Sequence, residues 1–475
     1  MPPKGKISRW LKLMGMTTSV ATRYTGLRIL NALGFSERVR KRLPLTNAKV
    51  GARIARTLGE LKGPVMKMGQ MASLSTDILP KEIAEPLAAL RKDAPPVSFD
   101  VIASQIETEL GSPPEELYRS FDRAPYAAAS IGQVHRAVTD DGREVVVKVQ
   151  YPGVDKSVRA DLSHMRFALK ASGMTRERPE AFERIFEELT LRLEEELDYT
   201  HEADNVRLLG EFHRSDPYVS VPTVVGERSA GRILTLSFEG GETLETAAKF
   251  PKAVRDRIGE RLMRLVFSEI FGCGALHADP NPANFAFRPD GTFALYDFGA
   301  VKRFTDDEQR GMRDVLRGAV YEDYDAAERG MIAIGARDRD GPPVDPRVYK
   351  IWRDLVAPVF DRDRPFDFGR SNLHLRLIRM LPEFKEAAKS FNLPVHLLLV
   401  QRTFAGLYAN LRTLGARVSG GQVVEQVLGD SEDAAYTGEL SDVLERRTAS
   451  SDVSPTAAQI RPTRSNHHGW NPPST

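Results

Sequence analysis

Apolar positions recur with a helical period along most of this chain and with a period of two in one short region. From Gly51 to Arg91 the pattern is helical; in "LKGPVMKMGQMASLSTDILP", Pro64 marks a start or kink and Pro80 a stop. "RKDAPPVSFD" reads as a linker, and residues 101–120 as a helix that "GSPPEEL" breaks and restarts. The period then changes. "SIGQVHRAVT", the turn "DDGR" and "EVVVKVQY" predict a hairpin of an antiparallel sheet. A long acidic helix is expected next, in "PEAFERIFEELTLRLEEELDYTHEADNVRLLGEF", where Phe182, Phe186, Leu189, Leu193 and Leu197 fall at spacings of 4, 3, 4 and 4 and so share one face. "VSVPTVV" and "RILTLSF" are two more strand candidates, leading into the Gly-rich joint "EGGETL". Beyond the joint the pattern is mostly helical to about Leu428.

The order predicts an α+β, bilobal chain with its cleft at the joint. Its parts are a basic arm (residues 1–50), a helical extension and linker (51–100), a small β-rich lobe with inserted helices (101–239), a larger helical lobe (240–428) and a tail (429–475). The tail is rich in Ser, Thr, Pro and Asn and is expected to be mostly disordered.

Charge alters this picture only locally. With 67 basic and 65 acidic residues the net charge is +2, which gives nucleic-acid binding no overall electrostatic support. Between Met1 and Arg42, however, ten Lys/Arg stand against the single acid Glu37, beside Trp10, Leu11, Leu13, Met14 and Met16. Such an arm suits an anionic membrane surface; a solvated helical arm is the alternative. The single cysteine, Cys273, rules out an intramolecular disulfide and fits a reducing compartment. No apolar run reaches the ~18 residues of a membrane span, since Arg264, Glu269 and Arg402 interrupt the best candidates. The N-terminus also lacks a secretory signal's apolar core. The expected location is cytoplasmic, with peripheral attachment to the inner membrane left open.

The chemistry sits in three short stretches. "LHADPNPANF" spaces Asp279 and Asn284 as D-x-x-x-x-N, and "YDFGA" puts Asp297 thirteen residues after Asn284. In kinase-type phosphoryl transfer a catalytic-loop Asp, an Asn five residues on and a DFG Asp take this order, the last two holding a metal. Lys148 lies inside the apolar strand "VVVKVQ", where an ammonium requires a neutralising partner unless it reaches water from an edge strand. Glu196, on the buried side of the acidic helix, is the first candidate for that partner, with Asp198 and Glu202 as second candidates. Glu239 opens the joint, where a nucleotide would lie. In place of a Gly-rich phosphate loop stands "APYAAASIGQVHRA", whose alanines restrict the backbone more than glycines do.

Taken together, "KMGQ", "AAASIGQVHRA", "VVVKVQYPGV", "EELDYTHEADN", "HADPNPANF" and "DFG" resemble the UbiB/AarF-type atypical kinases of the protein-kinase-like superfamily, over roughly Gly51 to Gly299. The resemblance implies a protein-kinase-like fold in which Lys148 contacts the phosphates of ATP or ADP and pairs with Glu196. Asp279 takes the catalytic-loop position, and Asn284 and Asp297 bind Mg²⁺. Lys67, Gly69 and Gln70 then belong to an extension folded over the cleft, opposite Glu196 and Asp198, while Ala127, Ala128, Ala129 and Ser130 line the nucleotide. The chain departs from the family at Asn281 and Ala283, where many members have His and Gly. The resemblance further implies an Mg²⁺-dependent ATPase or small-molecule kinase supporting ubiquinone or other prenyl-lipid metabolism, with a lipid or quinone-precursor ligand. A nucleotide-sensing scaffold for a biosynthetic complex is the alternative. A conventional protein kinase ranks third, since no "APE" segment follows "DFG". A homodimer is left open.

Overall fold

The computed structural model describes residues 97–129, 131–155, 197–341, 344–380 and 397–428, with a few isolated positions between these blocks. The basic arm, the "KMGQ" helix with Lys67, Gly69 and Gln70, and the tail lie outside the described residues.

The expected hairpin forms β3 (Gly132–Val138) and β4 (Glu144–Gln150), antiparallel, with Gly132 opposite Gln150 and Val138 opposite Glu144. Gly142 closes its turn at φ 86°, a conformation that glycine adopts without steric cost. β1 (Ser120–Phe121), β2 (Ala127–Ala128) and β6 (Ile233–Ser237) complete a five-stranded sheet in the order β1-β3-β4-β6, with β2 also on β3. Period-two alternation sets what each face carries. Val145, Val147 and Val149 are fully buried against Ile102 and Ile106 of α1 (Phe99–Leu110), followed by the short α2 (Pro114–Leu117). Lys148 must therefore project from the opposite face, toward the helical lobe.

The acidic helix does not run unbroken through Asp198. The chain turns at Leu197 and restarts as α3 (Tyr199–Phe212), because the Asp198 carboxylate accepts the Thr200 N–H at 2.9 Å and caps the new helix. The Tyr199 N–H leaves for the Gly231 carbonyl, 2.9 Å away. "VSVPTVV" also departs from expectation. Only β5 (Val219–Ser220) forms a strand, and it pairs in parallel with β9 (Phe293–Leu295) of the other lobe; Pro222, which has no N–H to give, lies two residues beyond it.

The joint is fastened by backbone, since Glu242 and Phe287 exchange two hydrogen bonds of 2.7 and 2.8 Å. Gly241 allows this approach, as a Cβ there would lie 2.7 Å from the Ala286 carbonyl carbon. After α4 (Leu244–Ala247), the long α5 (Lys252–Ser268) continues as a wider, wholly buried π-helical turn through Cys273. Four short strands follow: β7 (Ala275–His277), β8 (Phe285–Phe287), β9 (Phe293–Leu295) and β10 (Val301–Arg303). The remainder is helical, with α6 (Asp306–Tyr321), α7 (Tyr324–Ala333), α8 (Pro346–Val356), α9 (Leu373–Met380), α10 (Leu398–Leu414) and α11 (Gly420–Leu428). The two-residue pair β11 (Phe366–Asp367) and β12 (Arg417–Val418) lies among these helices.

Candidate active site

Strand pairing assembles the site. β7 and β10 are antiparallel with His277 opposite Val301, and the Ala278 N–H donates to the Ala300 carbonyl at 2.8 Å. The residues just after β7 and just before β10, Asp279 and the Asp297–Gly299 stretch, therefore emerge at the same end. Asn281 accepts the Ala283 N–H at 3.2 Å and starts a single 3-10 turn, Pro282–Asn284, with Pro282 at its first position. Asn281 thereby closes the turn. Asn284 is buried, and its Nδ2 donates to the Asp279 carbonyl at 3.3 Å.

Lys148 reaches across from the sheet. Its Nζ donates to Glu202 Oε1 and Oε2 at 2.9 and 2.7 Å, lies 3.7 Å from Asp297 Oδ1 and sits 5.0 Å from the Tyr199 ring centre. The side chains of Lys148 and Glu202 are 16% and 6% exposed. Burial works against the ammonium, but Asp297 and Glu202 outweigh it and hold the Lys148 pKa well above the ordinary lysine value. Burial pushes the Glu202 carboxyl up, Lys148 opposing and the Asp297 charge adding to the shift.

Among the described residues the carboxylate that holds Lys148 is thus Glu202, one of the two second candidates of the sequence reading; Glu196, the first candidate, lies outside the described residues. The break at Asp198 explains how Glu202 comes to Lys148. Once α3 starts at Tyr199, Glu202 stands in its first turn, beside the Tyr199 ring that faces Lys148. Asp198 is a helix cap.

Asp297 adopts φ 54°, and it and Glu322 are the only non-glycine residues with positive φ among those described. Such strain persists only where the surroundings enforce it. Here His277 Nε2 donates to the Tyr296 and Asp297 carbonyls, both at 3.0 Å, and the Gly299 N–H donates to Asp297 Oδ1 at 3.3 Å. α3 grips the next residue from both sides. Glu202 accepts the Phe298 N–H at 3.2 Å, and Asn205 Nδ2 donates to the Phe298 carbonyl at 3.0 Å.

Tyr199, Asn205, His277 and Arg402 were not singled out by sequence. Asn205 stands three residues after Glu202, a spacing that would have marked it once α3's start was known. Arg402, hydrogen-bonded to Asp279 Oδ1 from α10, has no local signal at all.

The other expected positions behave differently. Ala127 and Ala128 are exposed and paired with Val134 and Gln133, and the Ala129 N–H closes a turn onto the Gly132 carbonyl at 3.0 Å. Ser130 lies outside the described residues. The Glu239 carboxylate is engaged by Arg288 at 3.0 Å, and its carbonyl accepts the Tyr296 hydroxyl. No group of three His, Cys, Asp or Glu side chains suited to a metal occurs among the described residues. Asn284 and Asp297 supply one amide oxygen and one carboxylate, the Asp297 side chain being 36% exposed. That oxygen-only set fits Mg²⁺, which takes one or two carboxylates with phosphates and water rather than a full protein cage.

Residues 89–330 match the model of the ABC1 atypical kinase-like domain. Atypical kinase COQ8, mitochondrial, of Saccharomyces cerevisiae is 29% identical over 443 residues, covering 90% of this chain and 85% of that protein. Protein sll1770 of Synechocystis is 30% identical over 362 residues, covering 73% of this chain and 59% of that protein. The chain also spans only 41% of the chloroplastic ACTIVITY OF BC1 COMPLEX KINASE 7 of Arabidopsis thaliana, at 32% identity over 59% of its own length. Among solved structures, the complex of Rv3197 with erythromycin from Mycobacterium tuberculosis is 29% identical with a TM-score of 0.58, covering 84% of this chain and 98% of that one. With more than half of its length matched in order and the kinase-like residues assembled between two lobes, the chain belongs to the ABC1 atypical kinase-like family.

Proposed function

We propose that this chain binds ATP with Mg²⁺ and turns it over, by hydrolysis or by transfer to a small molecule, in support of ubiquinone or other prenyl-lipid metabolism. The observation that carries the reading is the buried Lys148 ammonium, held by Glu202 and 3.7 Å from the Asp297 carboxylate. A fixed cation beside a half-exposed carboxylate suits a triphosphate and its counter-ion better than it suits stability, since a buried ion pair gains little over apolar packing. Mg²⁺ held by Asn284 and Asp297 would neutralise phosphate charge. Lys148 would orient the phosphates, and Asp279 would align the nucleophile, water or a substrate hydroxyl.

The lipid assignment rests on the family resemblance and on the COQ8 relatives. No helix among the described residues is long and apolar enough to cross a membrane. Contact with an anionic surface would fall to the basic residues 1–42, outside the described residues.

The test is ATP hydrolysis measured with Mg²⁺, liposomes and a phenolic prenyl-lipid mimic. Lys148→Ala and Asp297→Asn should each lower turnover by about 100-fold or more, and unchanged turnover in both would refute the reading. A nucleotide-sensing scaffold is favoured by one feature: Ala127 and Ala128 are committed to a strand where a mobile glycine loop would close over phosphates. Nucleotide-dependent stabilisation without hydrolysis, even with membranes present, would select that alternative.

A further inference from the structure

Between Asp279 and Asn284 the chain reads Pro280, Asn281, Pro282 and Ala283, so the loop at the reacting position carries no cation of its own. A nearly buried carboxylate there would repel incoming phosphate oxygens and have nothing to hold its orientation. The missing charge arrives from a helix far along the sequence. Arg402 Nη2 on α10 donates to Asp279 Oδ1, and the two side chains are 28% and 9% exposed.

The contact belongs to a built interface. One turn beyond Arg402, Gly406 lies so close to the loop that a Cβ would sit 2.3 Å from Pro280 Cγ. One turn further, Asn410 Nδ2 donates to the Pro280 carbonyl at 3.0 Å. Spacings of four put Arg402, Gly406 and Asn410 on one face of α10, so the helix meets the loop in a single register. On the loop's other side Asn284 holds the Asp279 carbonyl.

We propose that Arg402 is the positioning residue for Asp279: it neutralises the carboxylate that must approach an anionic phosphate and fixes its direction. The inference rests on the ATP-turnover reading above. The bond engages Oδ1 and leaves Oδ2 for the nucleophile. In hydrolysis the water oxygen bonds to the terminal phosphorus and the bond to the bridging oxygen breaks. The electron pair departs on the nucleoside diphosphate, and one water proton passes to Oδ2. The Nη2 bond supplies a charge-assisted hydrogen bond as well as the neutralising charge.

The experiment combines steady-state ATP hydrolysis with nucleotide binding, followed as the shift in melting temperature, on the full chain. Arg402→Ala should lower kcat about 100-fold while KM and the ATP-induced shift change little. Arg402→Lys and added free guanidinium should each restore part of the loss. In an Asp279→Asn background, Arg402→Ala should cost little more, because residues acting as a unit are non-additive. Wild-type kcat in Arg402→Ala, or a fully multiplicative loss in the double variant, overturns the inference while leaving the ATP reading intact. Wild-type protein with no hydrolysis sensitive to Asp297→Asn overturns that reading, and this inference with it. Should Arg402→Ala not fold, Arg402→Lys decides by the same kcat and coupling measurements.

Discussion

Glu202 does two jobs with one carboxylate: Oε1 receives both the Lys148 ammonium and the Phe298 N–H, while Oε2 takes a second bond from Lys148. Removing it leaves the buried ammonium with the more distant Asp297 and takes away the acceptor of the Phe298 N–H. Glu202→Ala should therefore destabilise the fold by about 3 kcal/mol, the scale for breaking one side of a buried pair, as read from the denaturant midpoint. A loss below about 0.5 kcal/mol, the range of neutral surface changes, would show that the pair does not form as described. That Lys148 needed a carboxylate was legible from "VVVKVQ". Which carboxylate supplied it was not, because the choice depends on where one helix ends and the next begins.

That boundary is an element-scale fact. The sequence reading carries one helix across this boundary, although Thr200 and His201 stand three and four residues after Leu197 and the apolar series resumes in a new register at Tyr199, Ala203 and Val206. What stops it is local hydrogen bonding: Asp198 Oδ1 takes the Thr200 N–H and the Thr200 hydroxyl, at 2.9 and 2.6 Å. A capping aspartate competes with the helix it interrupts. Asp198→Ala should cost about 1 kcal/mol, and thermal melts would check this; a gain in stability would mean that a continuous helix is preferred. The same scale explains the strands. The hairpin around "DDGR" was readable because alternation and turn glycine are local signals. For β5 a strand was readable, but its shortness and its parallel pairing were not, since its partner lies in the other lobe.

Across the whole molecule, α3 joins the lobes at both ends. Near its start Glu202 and Asn205 hold Phe298. At its end His213 lies 3.2 Å from Glu269 Oε1 and 3.5 Å from Asp216, all three wholly or almost wholly buried, and Glu269 Oε2 accepts the His277 N–H at 2.7 Å. Burial opposes charge on the imidazole, but the Asp216 and Glu269 carboxylates overcome it and raise its pKa from 6.5 to about 9. The folded-state value exceeds the unfolded one, so the imidazolium stabilises the fold fully below about pH 6.5 and loses this effect as pH rises through about 9. The denaturant midpoint should fall across that window in the wild type and run flatter in His213→Gln. Identical slopes would refute the buried ion cluster.

The lobe order, the antiparallel hairpin, the Lys148 strand and the D-x-x-x-x-N and DFG stretches were legible along the chain, because periodicity, turn chemistry and motif spacing are properties of neighbouring residues. The tertiary structure decided the rest. It chose Glu202 for Lys148, set Asn205 and His277 to hold the Asp297–Phe298 backbone, and brought Arg402 to Asp279 across a separation of 123 residues. Those choices arise where chain segments distant in sequence satisfy one another's buried charges and amides. Such pairings leave no periodic trace along the chain, because a buried carboxylate requires some positive partner but not one at any given spacing.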